Sequence, residues 1–341
     1  MNTQLRPLGR SSVTVGPLGL GCWPLAGMTR EGVTREAAIA TVGAALEAGI
    51  THLDTAYCYG AHGESELAIR AALAERGGSS ARDLVVIAGK CGVHWEPAPG
   101  LSPSRRLVVD GHPKRLRAEA EESLTRLGTD RLDLLYLHSP DPNVPIEESA
   151  GALKQLQEEG KALAIGLSNG GRTSLERFAS ACPLDACQLP FNLLQREIEV
   201  DILPWCRDQS VGLVAYWPLM KGLLAGKMHR GQTFPTTDSR HKYAIFQGEA
   251  YERNLDFVET LRPCAARLGV SLPDLVLAWT AEQPGITSVL FGATNPRQVM
   301  ENAHARRCVL DDDTRRAIAA AIQARGPVPG RQPVEVPASS G

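Results

Sequence analysis

The sequence lacks an excess of charge of either sign, and it lacks long apolar runs. Its 341 residues carry 36 basic and 38 acidic side chains, which leave a formal net charge of only −2. This balance gives no electrostatic reason to expect a nucleic-acid partner or an anionic membrane surface. No apolar run approaches the ~18 residues that a membrane helix needs, and the N-terminal residues have no apolar core of a signal peptide. We therefore expect a soluble, cytoplasmic protein without nucleic-acid or membrane partners.

The cysteines also lack the spacing of a metal or redox motif. There are eight, and no two of them form a Cys-x-x-Cys pair. The usual sign of a zinc site or of thioredoxin-like chemistry is therefore missing, and a chain of this length does not need disulfides to hold its core. We expect free thiols in a reducing compartment. Cys58 lies next to Tyr59, a candidate catalytic residue, and would be either a passive thiol or a redox-sensitive one.

What the sequence does contain is a regular alternation of short apolar runs with longer amphipathic stretches. Runs typical of buried strands lie at 18–22, 51–55, 84–88, 132–137, 163–167, 186–189, 211–215 and 286–290. Helical patterns lie at 35–48, 65–75, 113–127, 146–159, 173–180, 249–268 and 272–283. This order favours a parallel sheet of the α/β class, and eight strands favour a closed (β/α)8 TIM barrel. A doubly wound sheet would need a Gly-x-Gly-x-x-Gly turn after its first strand, and Gly19-Leu20-Gly21 is too short a match.

Segments outside this alternation predict further features. Residues 5–8 and 13–15 flank a polar turn and predict a β-hairpin at the bottom of the barrel. The long segments 91–112 and 219–248 are expected to be functional loops, because both leave from the carboxyl ends of strands. Residues 1–325 are expected to form a single barrel domain. The tail, 326–341, is rich in Pro, Gly and Ser and is expected to be disordered.

Polar or titratable residues end one predicted strand after another. Asp54 and Tyr59 follow the second strand, Lys90 the third and His138 the fourth. We expect the Lys90 ammonium to lower the pKa of Tyr59 from its usual value of about 10. Asp54 would hold the lysine charge in place, and His138 would hydrogen-bond a carbonyl oxygen. Together the four would polarise and protonate a carbonyl, given a source of hydride.

Three groups of residues have a second interpretation. His52 and Asp54 share a side of their strand and could bind a metal with His138, but no further ligand completes a shell, so we predict no metal. His94 and Trp95, in the first long loop, either line a substrate pocket or pack that loop down. The charged residues of the second long loop are either solvated or clamp cofactor phosphates. They are His229, Arg230, Arg240, His241 and Lys242.

Seven ordered motifs resemble the signatures of the aldo-keto reductase family. They are LDTAYCYG (53–60), VIAGK (86–90), DLLYLHSPD (133–141), GLSN (166–169), QLPFN (188–192), YWPL (216–219) with GLL (222–224), and GATNP (292–296) with EN (301–302). The resemblance implies a (β/α)8 barrel that reduces aldehydes or ketones to alcohols with NADPH, with NADH left open. Asp54, Tyr59, Lys90 and His138 would be its catalytic tetrad, with Tyr59 as general acid.

The same resemblance implies the residues that bind the cofactor. They are Ser168, Asn169 and Gln188 at the nicotinamide carboxamide, Tyr216 under the nicotinamide ring, Pro218 and Leu219 beside it, and Gly292, Thr294, Gln298, Glu301 and Asn302 at the adenosine phosphate end. Gly292 stands where many members carry a basic residue, which resembles a bacterial branch that uses Ser/Thr and Gln instead.

Two other functions are compatible with these residues. An aldose or sugar dehydrogenase would run the reaction in the oxidative direction. A cofactor-sensing regulatory subunit would resemble potassium-channel β subunits, although the sequence shows no evident partner surface. The physiological substrate and the oligomeric state do not follow from the sequence.

Overall fold

A closed barrel of parallel strands forms the centre of the molecule. The computed structural model describes residues 4–29, 32–100, 105–235, 238–328 and 330–336. We number the eight barrel strands of this described part β1 to β8. Their bounds are Leu18–Gly21, His52–Asp54, Val86–Cys91, Leu132–Leu137, Ala162–Ser168, Ala186–Pro190, Gly212–Tyr216 and Ile286–Gly292. Each strand pairs with the next along the chain, and β8 closes against β1, so the predicted (β/α)8 barrel is confirmed.

Helices connect the strands and cover the outside of the barrel. In the described ranges they are α1 Arg35–Glu47, α2 Glu64–Ala74, α3 Ser79–Arg82, α4 Pro113–Leu127, α5 Ile146–Glu158, α6 Arg172–Ala181, α7 Ile202–Asp208, α8 Gly248–Leu268, α9 Leu272–Glu282, α10 Pro296–Ala303 and α11 Asp312–Arg325. The helices predicted from amphipathic patterns correspond to α1, α2, α4, α5, α6, α8 and α9. None of the helices described here is both long and apolar enough to cross a membrane.

Alternation along the strands separates an outer core from an inner one. Outward residues such as Ile87 pack under the helices, whereas inward residues such as Ala88 and Tyr136 fill the lower barrel. Gly166 on β5 makes room for the Tyr136 ring, because a Cβ there would lie 2.3 Å from its Cδ1 atom. Ala88 and Lys90 lie two positions apart on β3 and therefore face the same way. The Lys90 side chain thus points into the barrel, above this apolar layer.

A hairpin plugs one end of the barrel, as predicted. Arg6–Pro7 pairs antiparallel with Thr14–Val15, and the buried Leu8 belongs to the inner core. The Nη1 atom of Arg6 donates to the carbonyl of Ile286, the first residue of β8, at 2.9 Å. The hairpin therefore lies at the amino ends of the strands and leaves their carboxyl ends open for a site.

Two predicted segments differ from the structure. The third strand begins at Val86, and Leu84, which the apolar run included, is 75% exposed. The first long loop contains its own antiparallel pair, Val93–Pro97 with Arg105–Val109, which we call the β3 hairpin. The residues of the two segments do not alternate between apolar and polar, so the sequence pattern does not predict strands here. The two segments are strands because they hydrogen-bond to each other.

Residues 330–336 belong to the tail expected to be disordered, and they contact the loop after β5 and the start of α6. The N–H of Val334 donates to the carbonyl of Asn169 at 2.7 Å. The carboxylate of Glu335 accepts a backbone N–H at the start of α6 at 3.1 Å. The free backbone N–H groups at the start of α6 thus bind residues of the tail. The composition of the tail alone, rich in Pro, Gly and Ser, does not predict this contact. Residues 329 and 337–341 lie outside the described ranges, and a single domain over 1–325 stays an expectation.

Replacing Asp133 by Ala should destabilise the fold by about 3–5 kcal/mol, because it leaves a buried charge without its partner. Asp133 lies 2.8 Å from the Nη1 atom of the buried Arg82 and accepts the N–H of Ile87 at 2.7 Å. Urea unfolding followed by circular dichroism measures the free energy of unfolding. The matched control is Asp83→Ala, which removes the exposed partner 2.8 Å from Arg131 and should cost less than about 1 kcal/mol. Equal losses in both variants would contradict this account.

Candidate active site

Lys90 lies at the centre of a buried polar cluster at the carboxyl end of the barrel. Its side chain is 1% exposed and its ammonium is bonded to the carboxylate of Asp54. It also donates to the carbonyl of Thr55 at 2.8 Å and to the hydroxyl of Tyr59 at 3.2 Å. Lysine has no acceptor, so the Tyr59 oxygen must accept this hydrogen bond. The proton of Tyr59 is therefore free to point towards another group.

Asp54 joins this cluster to β6. Its second carboxylate oxygen accepts the Nε2 group of Gln188 at 2.7 Å. Gln188 and Asp54 are both inward residues of their strands, which is why the closed barrel brings them together. The resemblance implied a cofactor role for Gln188, and the structure places it in direct contact with a member of the tetrad.

Tyr59 stands on a tight turn between β2 and α2. Its N–H bonds to the carbonyl of Ala56 at 3.0 Å, and Gly60 follows with a φ of +93°, where a Cβ would overlap the carboxylate of Glu64. Burial raises the pKa of Tyr59 well above its usual value, and the negative charge of Asp54 raises it further. The expected lowering of this pKa is therefore wrong: Asp54 offsets the charge of Lys90, and desolvation outweighs what remains. Tyr59 is consequently a protonated phenol at neutral pH.

His138 follows β4 and lies against the same phenol. The rings of His138 and Tyr59 are 5.9 Å apart between centroids. Burial, and then the positive charges of Lys90 and Arg331, lower the pKa of His138 well below its usual value. The imidazole is therefore neutral at pH 7, and one of its nitrogens carries a proton that can be donated to an oxygen atom. The Nδ2 group of Asn169 donates to the His138 carbonyl at 2.8 Å and holds this end of β4.

Cys58 contacts the same histidine but is not prepared to react. Its sulphur lies 3.6 Å from the Nδ1 atom of His138. Burial raises the pKa of Cys58 to about 12, so little thiolate exists at neutral pH. The structure favours the passive thiol, and all eight cysteines are buried and outside any disulfide bond.

Side chains from β5 and β7 form a second group beside the cluster. The hydroxyl of Tyr216 donates to Oδ1 of Asn169 at 2.8 Å, and Nδ2 of Asn169 donates to Oγ of Ser168 at 3.1 Å. Asn169 has a φ of +62°, a conformation that asparagine adopts more readily than most residues. The positive charge of Arg331, from the tail, acts on Tyr216 and lowers its pKa in part, although burial raises that pKa to about 12. Pro218 and Leu219 follow Tyr216 along the chain, the first buried and the second partly buried.

The residues implied at the adenosine phosphate end lie where β8 leads into α10. They are Gly292, Thr294, Gln298, Glu301 and Asn302. Asn295 caps the helix by accepting the N–H of Gln298 at 3.0 Å, and the Gln298 side chain accepts the N–H of Thr294 at 2.8 Å. Arg297 and Lys227 lie 3.6 and 3.8 Å from the Glu301 carboxylate. A helix N-terminus with nearby cations is a suitable place for an anionic group.

The structure does not assemble a metal site around His52. This residue is buried one layer below the cluster, with Nδ1 at 3.1 Å from Oγ of Ser288. Burial lowers the pKa of His52 to about 4. Within the described ranges, no group of three His, Cys, Asp or Glu side chains is arranged to hold a metal ion.

The β3 hairpin directs His94 and Trp95 to opposite sides. Successive strand residues face opposite ways, and Trp95 faces the Tyr59 turn, where its Nε1 group donates to the carbonyls of Cys58 and Gly60 at 3.0 and 3.1 Å. His94 faces α4, with Nδ1 at 3.1 Å from the Glu119 carboxylate. Both residues therefore pack the loop down, and both also line a cavity beside Tyr57 and Gly60, so a substrate pocket here stays a prediction.

Sequence reasoning missed two cations near this site. Lys221 packs between the rings of Trp217 and Tyr243, at 4.4 and 5.0 Å from their centroids, and burial lowers its pKa to about 8. Its position inside the YWPL–GLL motif pair was the available signal. Arg331 had no such signal, because it lies in a low-complexity tail.

Two of the five charged residues of the second long loop, Arg230 and Arg240, form ion pairs. Arg230 is paired with Glu252 and Asp256 on α8, and Arg240 is paired with Asp238. His229 and Lys242 are exposed and His241 is partly buried. These contacts support the solvated interpretation for Arg230. Whether Arg240 also contacts a cofactor phosphate stays a prediction.

The fold and the cluster are those of a (β/α)8-barrel enzyme whose buried polar residues gather at the carboxyl ends of the strands. Residues 17–323 match the aldo/keto reductase family. Aldo-keto reductase YhdN of Bacillus subtilis is 37% identical over 290 residues, 85% of this chain and 84% of the relative. The NADH-specific methylglyoxal reductase of Escherichia coli is 34% identical over 314 residues, 90% of this chain and 94% of the relative.

A solved structure agrees with these sequence matches. The glycerol dehydrogenase of Gluconobacter oxydans superposes with a TM-score of 0.86 at 32% identity, covering 97% of this chain and 98% of the relative. The chain therefore belongs to the aldo/keto reductase family, as the motifs predicted. It is an oxidoreductase that uses a nicotinamide cofactor.

Replacing Glu119 by Gln should flatten the pH dependence of stability between about pH 5 and 8. Burial raises the pKa of Glu119 from 4.5 to about 7. The folded protein therefore keeps a proton that the unfolded chain has released. The stabilisation is fully present below the unfolded pKa and is lost as the pH rises through about 7.

Urea unfolding at pH 5, 6.5 and 8 measures this effect as the difference between wild type and variant. The control is Glu121→Gln on the same helix, where Lys161 lowers the pKa of an exposed carboxylate. The lowered pKa of Glu121 affects stability only below about pH 5. The control should therefore keep the wild-type dependence of the free energy of unfolding on pH. A wild-type slope in the Glu119 variant would contradict the assignment.

Proposed function

We propose that this enzyme reduces aldehydes or ketones to alcohols with NADPH and that Tyr59 supplies the proton. The observation that carries the proposal is the hydrogen bond of 3.2 Å from Lys90 to the Tyr59 oxygen. It leaves the phenol proton available, while burial keeps the phenol protonated. A proton donor at neutral pH needs both conditions.

Each member of the tetrad has a distinct role in this proposal. Tyr59 and the neutral His138 both offer a proton to the carbonyl oxygen and fix its position. When bound, the reduced nicotinamide supplies the hydride. Tyr59 then transfers its proton as negative charge develops on that oxygen, and Lys90 stabilises the phenolate that forms. Asp54 compensates the charge of Lys90 throughout.

The second group of side chains suits a nicotinamide carboxamide. Oγ of Ser168 donates to the carbonyl of Gln188 at 3.2 Å and accepts from Asn169, so it retains one lone pair. Oδ1 of Asn169 accepts the hydroxyl of Tyr216 and also retains one. Both oxygens can therefore accept an amide N–H. The partly buried ring of Tyr216 offers an apolar face at the same place.

The positive charge near α10 favours NADPH over NADH. Arg297 and Lys227 are 77% and 72% exposed at this helix, and the extra phosphate of NADPH would add favourable Coulomb energy there. The relative from Escherichia coli is named as NADH-specific, and dissociation constants for both cofactors distinguish the two preferences.

Oxidation of a polyol is a second candidate, because the structural relative from Gluconobacter oxydans is a glycerol dehydrogenase. The same residues would act in reverse, with the Tyr59 phenolate accepting a proton. Rates with NADP⁺ and glycerol, compared with rates with NADPH and methylglyoxal, distinguish the two directions.

Replacing Tyr59 by Phe should lower the turnover of methylglyoxal by roughly 10²- to 10⁴-fold, because the general acid is lost. Cofactor affinity, measured by fluorescence titration, should stay unchanged, because the ring keeps its edge contact with Trp23 at 5.2 Å. Tyr57→Phe is the matched control: its hydroxyl donates to Glu122 at 2.9 Å, outside the cluster, and its turnover should equal that of wild type. Full activity of the Tyr59 variant would show that another group supplies the proton.

Replacing Gln298 by Glu should weaken NADPH binding by about ten-fold, because a negative charge next to Thr294 repels the 2′-phosphate. NADH lacks that phosphate and should bind as it does to wild type. Fluorescence titrations with both cofactors measure the two dissociation constants. Gln155→Glu, the same change on the exposed face of α5, should alter neither. An equal loss for NADPH and NADH would place the 2′-phosphate elsewhere.

A further inference from the structure

The carbonyl groups on either side of Tyr59 share one side-chain donor. The indole Nε1 group of Trp95 donates to the carbonyl of Cys58 at 3.0 Å and to that of Gly60 at 3.1 Å. These two residues are the immediate neighbours of the proposed proton donor. A single N–H from the β3 hairpin thus bridges the turn that presents the phenol.

The remainder of this turn is held from other directions. The N–H of Tyr57 donates to the carbonyl of Lys90 at 3.0 Å, and Nη1 of Arg126 donates to the carbonyl of Tyr57 at 3.1 Å. Both bonds act two residues before Tyr59, on the side that leaves β2. The Trp95 bonds act at Cys58 and Gly60, the residues directly before and after Tyr59.

Trp95 is itself held in place within the β3 hairpin. The guanidinium of Arg105, on the second strand of the hairpin, lies 4.8 Å from the centre of its ring. Leu107 is its partner across the strand pair. The ring packs on a small apolar cluster that contains Tyr59 and Val93. The indole therefore connects the β3 hairpin to the turn that carries Tyr59.

We propose that Trp95 is a positioning residue for the proton donor. It acts through the backbone of Cys58 and Gly60 and sets the place of the Tyr59 hydroxyl relative to the carbonyl oxygen. Proton transfer requires the two oxygens to be within hydrogen-bond reach, and a misplacement of about 1 Å can reduce a rate by 10²-fold. The inference rests on the proposed function of Tyr59.

The test removes the N–H group and keeps an aromatic ring, although a smaller one. In Trp95→Phe the two carbonyls lose their donor, and the single-turnover rate of NADPH oxidation with saturating methylglyoxal should fall by about ten-fold or more. The solvent deuterium isotope effect on that rate should increase, because proton transfer becomes slower. The dissociation constant for NADPH and the KM for the aldehyde should stay at wild-type values.

A second variant keeps the size of the side chain. Incorporating at position 95 the tryptophan analogue with sulphur in place of the ring N–H preserves the ring contacts with Arg105, so the hairpin should fold even where Trp95→Phe does not. The same fall in rate and the same increase in isotope effect are expected. Leu107→Ala is the control for a loosened hairpin, because it disturbs the residue paired with Trp95 and leaves both carbonyl bonds in place. Its single-turnover rate should equal that of wild type.

Other outcomes would overturn the inference. A wild-type rate in the analogue-containing protein would show that the N–H group is dispensable. A raised KM with an unchanged single-turnover rate would make Trp95 a substrate-contacting residue instead. An equal loss in Leu107→Ala would reduce its role to general hairpin stability. Tyr59→Phe, measured in parallel, separates the two proposals: full activity there removes the proposed function, whereas an inactive Tyr59 variant with an active Trp95 variant removes only this inference.

Discussion

The positive charge of Lys90 inside the barrel is the constraint on which the rest of this site depends. An ammonium that is 1% exposed cannot remain charged unless a counter-charge and full hydrogen bonding replace water. Asp54, the carbonyl of Thr55 and the hydroxyl of Tyr59 supply these three partners. Because Tyr59 must accept this bond, its own proton is directed away from Lys90. The chemistry of the site thus follows from how one buried charge is compensated.

Burial shifts the pKa values of the two proposed donors, Tyr59 and His138, in opposite directions, but it leaves both groups neutral. It raises the pKa of Tyr59 and lowers the pKa of His138. Both groups are therefore neutral and protonated on one atom at pH 7, and both can donate to the same oxygen. The N-terminal hairpin and the apolar layer around Tyr136 close the barrel below them, which keeps this environment dry from the amino end of the strands.

Much of this architecture could be predicted from the sequence. The alternation of eight short apolar runs with amphipathic stretches identified the barrel, because parallel strands need helical crossovers and eight such strands favour closure. The parity that directs Ala88 inward also directs Lys90 inward, and strand ends identified Asp54, Tyr59 and His138 as neighbours. The start of β3 at Val86 instead of Leu84 was not predictable in this way. An apolar residue in the sequence can belong to a strand or lie exposed just before it.

The sequence by itself determined the barrel, the family and the set of side chains gathered at the strand ends. Only the tertiary structure decided that the pKa of Tyr59 is raised, that Trp95 donates to the carbonyls on either side of Tyr59, and that Arg331 lies near Tyr216. The reason is physical: periodicity depends on residues a few positions apart, whereas desolvation and hydrogen bonding depend on neighbours that lie far away along the chain. Trp95 and Gly60 are 35 positions apart, and no local pattern connects them.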